Sequence, residues 1–96
     1  MKIATDNKLA HYQVEVNEIN EQLGMLNQQY MIQQQQVQQL GSYLSMNNGD
    51  TQARQRYRKA TQELGSIGTK IRQKQRRLQT LQRQIMIEGN KIRRRR

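Results

Sequence analysis

The 96-residue sequence predicts an all-α fold: a long antiparallel two-helix coiled-coil hairpin, assembled into a larger helical oligomer or complex. Three observations predict it. Apolar residues recur in a 3-4 alternation along both halves, a single Asn-Gly break separates the two runs, and the chain is otherwise very polar. Hydrophobic residues make up 33%, Phe, Trp and Pro are absent, and mean hydropathy is −1.10. A chain of this composition cannot wrap itself around a compact globular core, but it can fill a narrow seam between helices.

The first helix is expected over about residues 6–47. Its apolar positions are Leu9, Tyr12, Val16, Ile19, Leu23, Leu26, Tyr30, Val37, Leu40 and Leu44, with Gln33 the one polar member of the alternation. A sustained 3.5-residue period marks a and d positions of a coiled-coil heptad rather than a general amphipathic face. The tract "QQQQVQQ" is read as helix surface, because Val37 stays on the stripe and Gln is a good helix former.

A turn is expected over 47–50. Gly49 suits the left-handed conformation that follows many helix C-caps. Asp50 or Thr51 can accept hydrogen bonds from the first N–H groups of the next helix. The second helix, about 51–92, repeats the alternation through Ala53, Tyr57, Ala60, Leu64, Ile67, Ile71, Leu78, Leu81, Ile85 and Ile92, with Lys74 and Glu88 as polar intruders. A basic tail, 93–96, completes a single hairpin domain spanning 1–96.

If the chain doubles back near residues 48 and 49, facing residues have numbers summing to about 97, and every such pair matches an a with a d. Leu40 then meets Tyr57, Val37 meets Ala60, Tyr30 meets Ile67, and Val16 meets Leu81. Glu88 would face Leu9 and pair with a nearby lysine, Lys8 being the neighbour in sequence. Lys74, opposite Leu23, would extend its ammonium to solvent.

Two features lie off the seam. Gly24 and Gly65 fall at b, and Gly41, Gly68 and Gly89 at e, so one flank is kept smooth enough for another helix to approach closely. Met25, Ile32 and Met46 share position c, beside Tyr43 at g. An apolar stripe in register, outside the seam, reads as an interface, and these eight glycine, Met and Ile positions are the expected oligomer contact.

Charge is segregated. The chain holds 17 Lys+Arg against 7 Asp+Glu, and residues 47–96 carry 15 of the cations with 3 of the acids. Arg72, Arg76, Arg77, Arg83, Lys91, Arg93, Arg94, Arg95 and Arg96 are therefore the expected contacts to a nucleic-acid backbone, bound nonspecifically through phosphates. Arg suits bidentate phosphate contact better than Lys. Tyr12, Tyr30 and Tyr57 are assigned to the seam, which leaves few platforms for base stacking. Part of the basic g row is expected to pair with Glu15 or Glu21.

No nucleophile–base set, paired carboxylate, phosphate loop or metal-ligand spacing is present, and His11 is the only histidine. The sequence therefore predicts no enzymatic activity, no cofactor, no metal site and no small-molecule substrate. No stretch is apolar enough for a membrane span, and no secretory signal is visible, so an intracellular or virion-associated place is expected. The leading expectation is a structural assembly protein that presents a basic helix to nucleic acid, such as an internal or portal-associated component of a virus-like particle. The alternative is a protein-binding adaptor. In shape, a basic helical hairpin resembles the stalk proteins of flagellar and type III export ATPases, and that resemblance implies a protein partner with no nucleic acid.

Overall fold

The computed structural model describes the backbone of residues 2–94 and the side chains of residues 7–94. It is a helical hairpin: α1 spans Lys2–Met46 and α2 spans Thr51–Arg94, and no strand occurs among the described residues. α2 runs two residues past its expected end, so Arg93 and Arg94 continue the helix where a tail was expected. Their charge sits well there, because cations in the last turn oppose the partial negative charge of the exposed carbonyls. Arg95 and Arg96 lie outside the described residues.

The turn departs from expectation at Gly49. No glycine has a positive φ, so Gly49 does not take the left-handed cap conformation. The chain leaves α1 through an Asn47 N–H donated to Tyr43 O at 3.0 Å, then closes a tight turn in which Asp50 N–H donates to Asn47 O at 3.1 Å. Asn48 and Gly49 are the central residues of a four-residue turn whose φ angles are not positive, a geometry open to most residue types. α2 then starts from an N-cap. One Asp50 carboxylate oxygen accepts the Ala53 N–H at 3.0 Å and the other accepts the Tyr43 hydroxyl at 2.8 Å. The residue that caps the second helix thus also holds the last turn of the first.

The seam positions are the shielded ones. From Leu9 to Leu44, every member of the α1 alternation is half-buried or buried, and off the stripe only Glu15 and Gly41 share that protection. On α2 the same holds from Ala53 to Ile92 with one exception, Tyr57, which remains 37% exposed. Gly68, Gln84 and Gly89 are the half-buried residues off the α2 stripe.

Two compact units are distinguishable. The turn-containing unit, Met25–Arg72, buries Ala53 and Ala60, whose small side chains let the helices come close. Gln33, the polar member of the α1 stripe, uses that proximity. Its amide Nε2 donates across to Ala60 O at 3.0 Å and to the Glu63 carboxylate at 3.2 Å. Tyr30 lies against Gly68, and Gly41 against Tyr57, each one step from the facing pairs the numbering predicts. These contacts progress in opposite directions along the two helices, so the helices of this unit are antiparallel.

The terminal unit comprises the described residues up to Gly24 and from Gln73 onward. Ile19 and Leu81 form its buried apolar centre, Leu81 with 1% exposure. Glu88 is buried on the α2 stripe at 5% exposure, and its carboxylate meets Lys91 Nζ at 3.3 Å. The lysine partner that the sequence argument required therefore comes from the next turn of α2.

Candidate nucleic-acid interface

α2 carries its cations on several faces because the apolar stripe occupies only two positions in seven. In the turn-containing unit Arg54, Arg56, Arg58, Lys59, Lys70 and Arg72 are all exposed. In the terminal unit Arg76, Arg77, Arg83, Lys91, Arg93 and Arg94 are exposed, while Lys74 on the stripe is half-buried. Helical spacing aligns some of them: Arg76 and Arg83 are two turns apart on the face opposite the seam.

Internal acids neutralise few of these side chains. Among the described residues there are two ion pairs. In the first, Arg77 forks onto Glu15, with Nε and Nη2 donating to the two carboxylate oxygens at 2.6 and 3.0 Å. The Arg77 guanidinium holds the Glu15 carboxyl below its ordinary value, first through this hydrogen bond and then through charge, with Lys74 adding to it. This is the pairing expected of the basic g row, with Glu15 rather than Glu21 as the acid. In the second, Lys91 meets Glu88. Arg72 donates to the Thr69 hydroxyl at 3.1 Å, which orients its guanidinium without cancelling its charge. Arg76, Arg83, Arg93 and Arg94 have no ion-pair partner among the described residues.

Of the nine cations expected to meet phosphate, Arg77 and Lys91 are thus already engaged, and Arg95 and Arg96 lie outside the described residues. Arg54, which is not among those nine, is committed to the turn: its Nε donates to Asn48 O at 2.8 Å and its Nη2 donates to the same oxygen. Tyr57 is less committed to the seam than expected, and Tyr43 is also exposed, although its hydroxyl is bound to Asp50. That bond raises the Tyr43 hydroxyl above its ordinary value.

The expected oligomer positions divide. A Cβ on Gly41 would stand 3.4 Å from the Tyr57 ring, and one on Gly68 would stand 3.6 Å from the Tyr30 ring. These two glycines therefore make room for tyrosines of the opposite helix within the hairpin. The clue was available in the numbering, since each glycine is one residue from the number that faces its tyrosine. Gly24, Gly65 and Gly89 have open space at the same position. Met25, Ile32 and Met46 are exposed, Met46 at 88%. Val14, Met31, Met86 and Ile87 are exposed as well. Val14 and Met31 were missed because they lie at f and b, outside the c stripe.

No helix among the described residues is long and apolar enough to cross a membrane. No family model, curated protein or solved structure matches the chain.

Proposed function

We propose that the chain is a non-enzymatic structural and assembly protein whose basic second helix contacts nucleic-acid phosphates without reading sequence. An internal or portal-associated place in a virus-like particle suits that role. The observation that carries the reading is the excess of exposed arginine on α2 over the acids available to pair with it. Exposed guanidinium groups at helical spacing attract a polyanion through counterion release and bind it through bidentate contacts. The 3-4 alternation and its shielding support a coiled-coil seam. The exposed Met25, Ile32 and Met46 support association with further copies, because isolated apolar residues mean little but a stripe in register marks an interface.

A protein-only adaptor, similar to the export-ATPase stalk proteins, is the second reading, and the same exposed Met and Ile residues favour it. The two separate in a binding assay that presents duplex, single strand and an acidic polypeptide at physiological salt. The nucleic-acid reading expects both nucleic acids to bind with similar affinity whatever their sequence. Binding confined to a protein partner would establish the adaptor instead.

A further inference from the structure

The turn contains the only Asn-Gly step in the chain, and its surroundings are arranged for a reaction of that step on itself. We propose that Asn48-Gly49 is a self-modifying site, at which Asn48 deamidates through a cyclic imide with Arg54 as the residue that promotes it.

The chemistry is fixed by the atoms. Gly49 N gives its proton to solvent and attacks the side-chain amide carbon of Asn48. A new N–C bond forms, the old bond from that carbon to the side-chain nitrogen breaks, and the nitrogen leaves as ammonia after taking a proton from solvent. Water then adds to one of the two imide carbonyls and opens the ring. The product is an aspartyl residue at position 48, or an isoaspartyl residue whose main chain runs through the former side chain. One water is consumed, one ammonia is released, and nothing is oxidised or reduced.

Several features of the turn favour this course. Asn48 and Gly49 are both exposed and lie between the helices, outside either hydrogen-bonded ladder. Gly49 N–H, like that of Asn48, donates to no acceptor among the described residues, whereas Asn47 N–H and Asp50 N–H on either side of the pair are both bonded. Beyond its chain neighbours nothing stands within 4 Å of the Gly49 Cβ position, so no other part of the chain covers that side of the residue. The decisive contact is Arg54. When Gly49 N loses its proton, the negative charge spreads onto the carbonyl oxygen of the same peptide unit, which is Asn48 O. That oxygen already accepts two hydrogen bonds from the Arg54 guanidinium, through Nε at 2.8 Å and through Nη2. Donors aimed in advance at the atom where charge develops lower the barrier to forming it. The opposing charge is occupied elsewhere, since the Asp50 carboxylate is bound to Ala53 N–H and the Tyr43 hydroxyl.

Asn47 is an internal control. Its side-chain Nδ2 donates to Tyr43 O at 3.1 Å, and the residue after it is Asn rather than Gly. Conversion of Asn48 places a new carboxylate beside Arg54, and the isoaspartyl branch lengthens the main chain within the turn that joins the helices. The site would therefore act as a slow chemical clock on the hairpin connection, independent of what α2 binds.

The test uses the full chain, incubated in mildly alkaline buffer and followed by intact mass, peptide mapping and enzymatic labelling of isoaspartate. The expected result is a gain of one dalton that maps to position 48 and not to Asn47. Arg54→Gln should slow the reaction several-fold, Arg54→Lys should fall between the two, and Gly49→Ala should nearly abolish it, with helical circular dichroism checked for each variant. Modification at position 48 no faster than at Asn47 would overturn the proposal, as would an Arg54→Gln rate equal to or above that of the parent.

Discussion

At the residue scale, the glycines are where local geometry and propensity can be separated. Gly24 and Gly65 lie within helices and nothing occupies the space a Cβ would take. Replacing either by Ala should stabilise the hairpin by about 0.5–1 kcal/mol, measured by denaturant unfolding, because Gly has more backbone freedom to lose on folding. If that edge also meets another helix, the same variants weaken association while raising stability, and sedimentation separates the two effects. Asp50 and Glu15 set the pH response. The Ala53 N–H and then the Tyr43 hydroxyl lower the Asp50 carboxyl, and Arg77 lowers that of Glu15. Each carboxyl binds its proton less readily in the folded chain than in the unfolded one. Its contribution is therefore complete above the ordinary carboxylate range and disappears as pH falls through the lowered folded value. Thermal midpoints should drop on acidification through that window, and Asp50→Asn should flatten the drop. The left-handed Gly49 expected from sequence fails for a physical reason: a turn closed from Asp50 N–H to Asn47 O needs no positive φ. An Asn-Gly step permits that conformation without requiring it.

At the scale of the helices, the apolar alternation carries the fold because shielding follows it from Leu9 to Ile92 with Tyr57 as its one lapse. Leu81→Ala should cost about 2–5 kcal/mol, the range for emptying a fully buried site, whereas Met86→Ala a few residues away should be close to neutral. Chemical denaturation of the two variants checks this. Gln33 offers a different test. Its bonds to Ala60 O and Glu63 join the helices at one register, a use of polar seam residues known to trade stability for specificity. Gln33→Leu should raise the unfolding midpoint while broadening the distribution of helix registers, read by spin-label distances across the turn-containing unit. What the sequence could reveal was periodic, and so were the residues it placed well. It could not reveal which polar groups would find each other, because those choices depend on side-chain reach. Arg77 takes Glu15 from the two acids expected for the g row, whereas Glu88 takes Lys91 and Arg54 turns back to Asn48 O through contacts no heptad position specifies.

At the scale of the whole molecule, a formal net charge of +10 is the property any partner meets first. Much of the candidate interface was legible as a charge imbalance between the two halves of the chain, and the structure adds which cations are spent internally. If α2 binds phosphates as a row of independent cations, no single substitution abolishes binding. Each loss weakens it on all sequences alike, and Arg76 and Arg83 should matter more than Arg77, whose charge is shared with Glu15. The most direct measurement is the salt dependence of duplex binding by the intact chain and by an Arg76→Gln, Arg83→Gln variant. The account predicts that log K falls linearly with log salt concentration for the intact chain. It also predicts that the slope becomes shallower by roughly one for each phosphate contact removed. Binding that ignores salt, or a slope the two substitutions leave unchanged, would contradict it.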